Sequence, residues 1–254
     1  MLPILIPLFC FMFVVSMCDG FSWVYEIPFY AMCCAVSPGP NKVEVKKLSS
    51  QYQEEVIIGL MLSDGSLRNP NSKKRPTGNC RLEFTFKAPV YDFICWLKFD
   101  LLGTLCTESL PTPHPVNNPT QYWFASRSLP QFTVMESLWY SVVNGKRVKI
   151  IPDNLVLTPV ILAHWIMGDG YWLKSDKAII LCTECFTHKE VLRLIDLLES
   201  NLGVWATANR RVATDGRVNY RIRLSGVPLN LRRVRNMVTP HMHKCMLYKL
   251  GNRA

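Results

Sequence analysis

A nine-residue pattern occurs twice in this chain, at residues 57–65 (IIGLMLSDG) and at residues 162–170 (LAHWIMGDG). Each copy is an apolar run that contains small residues and ends in one aspartate followed by glycine. An apolar helix that ends in an acid has little reason to occur twice unless the two acids must meet. If two such helices pack side by side in parallel, Asp64 and Asp169 emerge at the same end. They would then form a paired-carboxylate site for a divalent metal.

Local signals indicate where the two helices begin. Ser50 followed by Gln53 is typical of a capping box ahead of the first copy. Thr158 followed by Pro159 is typical of an N-cap with proline at the first helical position. We therefore expect one helix to begin after each of these caps.

Small residues also occur at helical spacing within the two copies. Gly59 and Ser63 lie four positions apart and share one helix face, and so do His164 and Gly168. Small side chains on such a face let two helices approach closely. The alternative is two ordinary buried helices whose terminal acids face water, and a single copy would not exclude it. Two copies with a matching order of elements behind them favour the paired arrangement.

At these residues the chain resembles the LAGLIDADG homing endonucleases in their single-chain, two-repeat form, and the resemblance covers residues 48–254. Gly59 and Gly65 stand at the glycine positions of that family's motif, and Asp64 and Asp169 at its functional acid. The second copy departs from the pattern because it carries His164 where the first carries Gly59. That difference would make the helix packing asymmetric without touching the acid.

The resemblance implies an α+β fold of two pseudo-symmetric αββαββα repeats. The repeats would pack through the paired motif helices and form a saddle-shaped β surface that binds DNA. It further implies a monomeric, site-specific enzyme that cuts both strands of a long, asymmetric DNA target and so promotes intron homing. The reaction would use Mg²⁺ (or Mn²⁺) and no small-molecule cofactor.

The charge of the chain agrees with a nucleic-acid partner. The net charge is +10, and residues 201–254 hold eleven Lys and Arg against one acid, Asp215. A concentrated basic segment in a globular chain points to a polyanion, most simply nucleic acid. A membrane-surface role is the competing interpretation, but it would call for an amphipathic basic helix, which this segment fits less well.

The N-terminal segment differs from the rest, because residues 1–18 carry no charge and residues 1–40 contain no Lys or Arg. A signal peptide would need a basic start, and Pro3 and Pro7 weaken a membrane helix. The family resemblance favours a third origin, a leader read in frame from an exon upstream of an organellar intron. We expect residues 1–42 to lie outside the catalytic domain, residues 43–152 to form the first repeat and residues 153–254 the second. The expected location is the mitochondrion, with the chloroplast as the alternative.

Both halves continue in the same order after their aspartates, as hairpin, helix, second hairpin and further helix. In the first half, residues 81–87 alternate polar and apolar, a helix is predicted at 90–102, a strand near 121–126 and a helix near 132–143. In the second half, strands are predicted near 171–174, 178–183, 205–212 and 217–224, with a helix at 188–202. The apolar strand faces would rest on the helices.

The strand at residues 217–224 provides the clearest candidate surface for DNA. Its basic and amide side chains share one face, which we expect to contain no acids, and a β-ribbon of Arg and Asn fits the major groove. The alternative is a solvated outer face, which ordinarily mixes both charge signs. The predicted DNA-binding residues in the two halves are Arg81, Lys87, Asn209, Arg211, Arg217, Asn219, Arg221 and Arg223.

Two lysines complete the candidate site. Lys149 precedes the second motif helix and Lys249 lies near the C-terminus, separated by nearly the same number of residues as the aspartates. In the two-repeat endonucleases lysines in this context belong to the active site, so the resemblance assigns that role here; surface charge is the alternative. Glu184, at the end of a strand leading from Asp169, is a weaker candidate for the same site.

Other sequence features give competing functions. The C-x-x-C of Cys182 and Cys185 lies in a strand-like run without a second pair, so buried thiols are favoured over zinc or redox chemistry. An RNA-binding maturase that assists its host intron is the main alternative function, because some members of the resembled family do this on the same scaffold. The four candidate catalytic residues favour retained cleavage. A membrane protein with a basic domain would rest on residues 1–18 alone.

Overall fold

The computed structural model describes residues 50–251, which fall within one compact unit spanning Val45–Ala254. The expectations for residues 1–42 lie outside the described residues. Within residues 50–251, every helix is too short or too polar to cross a membrane.

The two motif helices begin at the predicted caps. Helix α1 spans Gln51–Met61, and Ser50 Oγ accepts a hydrogen bond from the Gln53 backbone N at 3.2 Å. Helix α4 spans Pro159–Asp169, and Thr158 Oγ1 accepts from the Ile161 backbone N at 3.3 Å. Thr158 Oγ1 also donates to Glu55 Oε2 at 2.9 Å, which joins the beginnings of the two helices.

Helices α1 and α4 pack closely and run in the same direction. A Cβ atom added at Gly59 would lie 2.6 Å from His164 Cβ, and one added at Gly168 would overlap the Ser63 side chain. The contacts therefore advance along both helices together, from Gly59 and His164 to Ser63 and Gly168. This order requires a parallel pair whose C-terminal ends, with the two aspartates, lie side by side.

The first half of the described chain forms a four-stranded antiparallel sheet in the order β1-β2-β4-β3. The strands are β1 (Ser66–Arg68), β2 (Arg81–Lys87), β3 (Thr112–His114) and β4 (Gln121–Ala125). Its helices are α2 (Tyr91–Cys95), which continues as a π-helical stretch over Trp96–Leu101, and α3 (Pro130–Trp139). A hairpin of β5 (Tyr140–Val143) and β6 (Lys146–Lys149) follows.

The second half repeats this plan with the sheet order β7-β8-β10-β9. Its strands are β7 (Gly170–Leu173), β8 (Ala178–Leu181), β9 (Ala206–Val212) and β10 (Val218–Leu224). Its helices are α5 (His188–Leu202) and α6 (Pro228–Val238), followed by a 3₁₀ segment over Lys244–Leu250. Each half thus has the predicted αββαββα order.

The inner faces of both sheets form the core together with the motif helices. Leu82, Phe84 and Phe86 on β2 and Ile222 and Leu224 on β10 are buried, whereas Thr85, Lys87 and Arg223 are more exposed. Glu83 is the exception on β2, because it is buried while it pairs with Arg68 and Arg81. A period of two residues is what a strand with one buried face produces. The predicted alternation is therefore confirmed in both halves, and it leaves the basic and polar residues on the outer faces.

Two predicted boundaries in the first half need correction. The helix expected near residues 132–143 ends at Trp139, because Asn144 and Gly145 adopt positive φ angles of 52° and 72° and turn the chain into a hairpin. The β-branched residues Val142 and Val143 suit the strand better than a helix. The helix expected at 90–102 is mixed, with a π-helical stretch from Trp96 onward.

His164 occupies the tight contact between the motif helices. Its side chain is fully buried, its ring stacks on Trp96 at 5.9 Å between centroids, and within residues 50–251 its two ring nitrogens have no hydrogen-bond partner. Burial, reinforced by the charge of His241, lowers the pKa of His164 to about 3. The packing of the two helices therefore depends on a neutral imidazole.

We predict that Gly59→Ala destabilises the protein. The new methyl group would lie 2.6 Å from His164 Cβ and 2.7 Å from the Ile161 carbonyl oxygen, and a backbone oxygen inside a helix cannot move aside easily. Overpacking of this kind costs roughly 1–3 kcal/mol. Urea unfolding measures the loss, and Ser137→Ala on the exposed side of α3 is the control. Equal stability of the two variants would contradict the close packing.

We also predict that His164 makes the fold sensitive to acid. The pKa of His164 in the folded protein lies below the ordinary value of 6.5. As the pH falls, this histidine is therefore protonated in the unfolded chain before it is protonated in the folded protein. Its contribution to stability is complete above pH 6.5 and falls as pH decreases toward 3, by up to about 1.4 kcal/mol per pH unit. His164→Met should flatten the dependence of the unfolding free energy on pH over this range. Identical slopes for the two proteins would show that His164 titrates normally.

Candidate active site and nucleic-acid interface

Asp64 and Asp169 lie at the adjoining C-terminal ends of the motif helices. Asp64 follows the last turn of α1, which closes through a hydrogen bond from the Gly65 backbone N to the Leu60 carbonyl oxygen at 2.8 Å. Asp169 is the last residue of α4, and its carbonyl oxygen accepts from the Cys182 backbone N at 3.1 Å. Asp64 as a whole residue is exposed and Asp169 is half-buried, and the carboxyl group of each is partly desolvated by the surrounding protein. The parallel packing thus brings the two predicted acids to one place.

Lys149 reaches the end of the first motif helix from the base of the β5–β6 hairpin. Its Nζ donates to three backbone carbonyl oxygens, those of Met61 at 2.9 Å, Ser63 at 3.1 Å and Gly65 at 2.8 Å. A cation is stabilised at a helix C-terminus because the free carbonyl groups carry partial negative charge. Lys149 therefore holds the loop that carries Asp64.

Lys249 has the same relation to the second motif helix. It lies in the 3₁₀ segment near the C-terminus, and its Nζ donates to the carbonyl oxygens of Met167 at 2.6 Å and Gly168 at 2.7 Å. Its side chain is buried, with 8% of the residue exposed. The two predicted lysines thus occupy matching positions in the two halves, although one comes from a hairpin and the other from a 3₁₀ segment.

The four charged groups act on one another. Burial raises the pKa of Asp169 to about 7, with a further increase from Asp64, while Lys149 and Lys249 oppose the shift. The pKa of Asp64 is raised by burial and lowered by the same two lysines. Burial lowers the pKa of Lys249 to about 8 against the attraction of both aspartates. The cluster therefore holds carboxylates that are costly to ionise in the isolated protein, although lysines lie nearby.

A hard divalent cation fits this donor set. Within residues 50–251 no group of three or more His, Cys, Asp and Glu side chains is arranged to hold a metal ion. Asp64 and Asp169 nevertheless offer carboxylate oxygens at one place, and a cation between them would relieve the cost of their charges. Mg²⁺ commonly binds through one or two carboxylates and completes its shell with water and substrate phosphates.

The C-x-x-C pair lies beside this cluster rather than in a separate site. The expectation of buried thiols is wrong, because Cys182 is half-buried and Cys185 is exposed. Partial desolvation nevertheless raises the pKa of both thiols to about 11, so both stay protonated near neutral pH. Glu184 lies between them and raises the pKa of Asp169 slightly, but its carboxylate accepts a hydrogen bond from Arg221 Nε. Glu184 therefore belongs as much to the outer face of the second sheet as to the aspartates.

The outer face of the second sheet carries the predicted DNA-binding residues. The register places Asn219 opposite Arg211, Arg221 opposite Asn209, and Arg223 opposite Thr207, so these side chains share one face of the β9–β10 ribbon. Arg217 lies exposed at the turn where the ribbon begins. The predicted ribbon of Arg and Asn side chains is thus present.

The expectation that this face contains no acids is wrong. Arg217 pairs with Asp215 at 2.6 Å, Arg221 pairs with Glu184, and Arg223 pairs with Asp176 at 3.4 Å. The three acids all lie in turns outside the strands, so the alternation within one strand could not reveal them. The face remains basic, but the ion pairs hold several of its arginines in place.

The first sheet presents a different outer face. Lys87 is exposed at the end of β2, whereas Arg81 pairs with Glu83 at 2.8 Å and lies over the Trp123 ring, 5.4 Å from its centroid. Glu83 also pairs with Arg68 at 2.8 Å. Sequence reasoning missed Arg68, because a three-residue strand is too short to show alternation.

Sequence reasoning also missed the contacts of the β5–β6 hairpin. Tyr140 Oη accepts from the Leu67 backbone N at 3.3 Å, and an Arg147 guanidinium nitrogen donates to the Leu67 carbonyl oxygen. These bonds pair the backbone N–H and C=O of Leu67 on the free edge of β1, which would otherwise be left without partners. The hairpin therefore connects the strand edge to Lys149 and the motif loop. The Asn144-Gly145 turn was the signal that could have revealed it.

Comparison with known proteins agrees with this arrangement. The chain is 26% identical over 219 residues to the DNA endonuclease I-ChuI of Chlamydomonas applanata, covering 80% of this chain and 96% of that protein. It is 29% identical over 209 residues to the cytochrome b mRNA maturase bI2 of Saccharomyces cerevisiae, covering 78% of this chain and 47% of the maturase. The chain therefore spans about half the length of the maturase.

A solved structure shows the same fold. The homing endonuclease I-WcaI bound to its DNA recognition sequence is similar with a TM-score of 0.62 and 23% identity, covering 86% of this chain and 97% of that one. The predicted α+β saddle fold is thereby confirmed. Residues 54–228 match the sequence profile of the LAGLIDADG DNA endonuclease family. Since this match covers more than half of the chain and both motif helices, the protein belongs to the LAGLIDADG DNA endonuclease family.

Proposed function

We propose that this protein is a site-specific homing endonuclease that hydrolyses one phosphodiester bond in each strand of a long, asymmetric DNA target. The observation that carries the proposal is the parallel packing of α1 and α4, which brings Asp64 and Asp169 together at one end of the helix pair. Family membership and the endonuclease relative that the chain matches over most of both lengths support it. The basic outer faces of the two sheets provide the surface on which DNA would lie.

In this proposal Asp64 and Asp169 hold divalent metal, with Mg²⁺ preferred and Mn²⁺ able to replace it. The metal would supply an activated water and stabilise the charge on the phosphate and the leaving oxygen. The chain itself supplies the position of the two carboxylates, which the helix packing fixes. A protein that holds its acids in place before substrate binds does not need to reorganise during the reaction.

Lys149 and Lys249 are proposed to act electrostatically near the two scissile phosphates. Each lysine is bound to carbonyl oxygens beside one motif aspartate, Lys149 beside Asp64 and Lys249 beside Asp169. Their Nζ atoms are therefore fixed next to the carboxylates rather than free in solvent. We assign each lysine to one cleavage site.

The outer faces of the sheets are proposed to bind the DNA. Arg and Asn side chains on the β9–β10 ribbon fit base edges in the major groove, and exposed Lys87 and Arg211 fit the phosphate backbone. One chain contains both halves of the site, so the protein would act as a monomer. The halves differ in sequence, and the target is therefore expected to be asymmetric.

The proposed biological role is intron homing in an organelle, with the mitochondrion favoured over the chloroplast. Similarity to a cytochrome b mRNA maturase and to proteins named intron-encoded endonucleases supports this origin. Residues 1–42 would lie outside the catalytic domain, with the repeats at residues 43–152 and 153–254.

A second candidate function is assistance to the host intron RNA as a maturase. The 29% identity to the yeast maturase over 209 residues favours it. Splicing of the host intron with the Asp64→Asn protein would separate the two functions, since RNA folding does not need the metal site. Retained splicing without DNA cleavage would show that both activities reside on one scaffold.

We predict that Asp64→Asn and Asp169→Asn abolish double-strand cleavage and leave DNA binding largely intact. Each change removes a metal ligand, and neither removes a group that contacts the helix partner. The substrate is a supercoiled plasmid carrying a target selected from a random DNA library, incubated with the full chain and Mg²⁺. Ca²⁺ should support binding with little cutting, because its larger and more variable shell positions water poorly. Full cutting by Asp169→Asn would refute the paired-metal proposal.

The same Asp169→Asn change should stabilise the protein at pH 8 in EDTA. The folded pKa of Asp169, about 7, lies above the ordinary 3.8, so ionisation opposes folding increasingly as pH rises between these values. A relief of about 1 kcal/mol raises the melting temperature by roughly 2–4 °C. At pH 4 the variant and the wild type should melt together. Asp196→Asn on the exposed side of α5 is the control, and an equal effect from it would contradict the prediction.

We predict that Lys149→Met and Lys249→Met slow cleavage of different DNA strands. Each substitution should let nicked plasmid accumulate, and the double variant should cut hardly at all while still binding DNA. Strand-specific end labels identify which strand each variant leaves uncut.

Lys146→Met is the matched control for Lys149→Met, since it removes an exposed lysine from the same strand. It should leave the ratio of nicked to linear product unchanged. Equal slowing of both strands by each single variant would refute the assignment of one lysine to one strand. Unchanged cleavage by both single variants and by the double variant would show that the two lysines have a purely structural role.

A further inference from the structure

Arg81 on the first sheet is held by two neighbours, the carboxylate of Glu83 and the aromatic ring of Trp123. Its Nε donates to Glu83 Oε1 at 2.8 Å, its Nη2 lies 2.8 Å from the same oxygen as an ion pair, and its guanidinium carbon lies 5.4 Å from the centroid of the Trp123 ring. Only 25% of the Arg81 side chain is exposed. These contacts fix both the position and the plane of the guanidinium.

Glu83 is an unusual residue for a surface that would face DNA. Its side chain is only 10% exposed, and its second oxygen, Oε2, forms an ion pair with Arg68 Nε at 2.8 Å. A buried carboxylate is costly to desolvate, and here it also repels phosphate. Its two oxygens pair with two different arginines, so its negative charge is balanced by basic residues of the outer face itself.

The contacts leave a defined part of Arg81 free. A guanidinium presents its donors in a rigid fork, and Glu83 takes the edge formed by Nε and Nη2. Within residues 50–251 no hydrogen bond or ion pair from Nη1 is found, so the end formed by Nη1 and the second hydrogen of Nη2 is not taken by Glu83. Two parallel donors at this end match the O6 and N7 acceptors of guanine in the major groove.

The second sheet contains a comparable arrangement at Arg221. Its Nε donates to Glu184, its Nη1 donates to Tyr171 Oη at 3.1 Å, and its guanidinium carbon lies 5.7 Å from the centroid of the Tyr171 ring. By contrast, no ion pair to Lys87 or Arg211 is found within residues 50–251, and both side chains are exposed. Fixed arginines suit base edges, whereas mobile cations suit the phosphate backbone.

We propose that Arg81 reads a guanine in the half of the target bound by the first sheet, and that Glu83 is its positioning residue. The proposal rests on the proposed function, because it assumes that DNA lies on this face. Glu83 and Trp123 restrict the guanidinium before DNA arrives, so less freedom is lost on binding. A wrong base would leave the held donors without acceptors.

Glu83→Gln separates a positioning role from a purely electrostatic one, because the two roles predict opposite effects of the substitution on DNA recognition. If Glu83 is only a negative charge on the DNA face, its removal should strengthen binding to every sequence. If it positions Arg81, its removal should instead reduce the preference for guanine at one base pair. A well-made bidentate contact discriminates by roughly 5- to 150-fold, and we expect most of that factor to be lost. Affinity for unrelated DNA should stay equal or increase.

The experiment is a binding selection with the full chain, in EDTA, from a duplex library with randomised positions. Wild-type protein and the Glu83→Gln and Arg81→Lys variants are compared position by position. Arg81→Lys keeps the charge but removes the fork, so it should lose the same guanine preference. Asp153→Asn is the control, since it removes an exposed acid that pairs with Arg193 on α5, which is not among the predicted DNA-binding residues. It should leave the base preferences unchanged.

Each outcome of this selection supports or overturns a stated part of the proposal. Loss of guanine preference at one shared position in both Arg81→Lys and Glu83→Gln supports the proposal. Unchanged preference in folded Glu83→Gln overturns the positioning role, and unchanged preference in Arg81→Lys overturns base reading by Arg81. Thermal melting would show whether Glu83→Gln folds. If it does not, Glu83→Asp takes its place beside Arg81→Lys, because an aspartate keeps the charge but has a shorter reach. Absence of any sequence preference in the wild-type protein would refute the proposed function instead.

Discussion

The close parallel contact between α1 and α4 is the constraint on which the rest of the structure depends. At Gly59 the helices approach so closely that a methyl group would overlap the facing chain, and at Gly168 a methyl group would overlap Ser63. Each helix also begins the chain of one half, so their contact fixes how the two sheets are joined. The two aspartates meet only because both helices end at the same level.

That meeting has an electrostatic consequence. Asp169 and Asp64 are carboxylates whose ionisation is opposed by burial, and Lys149 and Lys249 offset part of the cost while holding the helix ends in place. Such a cluster is less stable than an uncharged one would be. A site that binds metal and phosphate must nevertheless present unneutralised acids, so the proposed function and maximal stability conflict at these residues.

The two halves share an element order but differ at the surface. The second sheet offers a long ribbon with arginines at Arg211, Arg217, Arg221 and Arg223, whereas the first offers short strands with one arginine held between Glu83 and Trp123. A pseudo-symmetric scaffold with dissimilar outer faces is suited to an asymmetric partner. The β5–β6 hairpin adds to the difference, because it covers the edge of β1 and supplies Lys149, while Lys249 comes from a 3₁₀ segment.

The sequence by itself determined the motif helices, their caps, the alternation of polar and apolar residues along the strands and the candidate aspartates, because these follow from local periodicity, capping chemistry and a repeated motif. The candidate role of Lys149 and Lys249 came from the resemblance to the family. The sequence did not determine where the helix after residue 130 ends, since the turn at Asn144 and Gly145 competes with helical propensity. Nor could it show that Glu83, Glu184 and Asp176 pair with the arginines of the outer faces. Apart from the Arg81–Glu83 pair within β2, these pairs join residues on different strands and turns, and only the folded sheets bring them together.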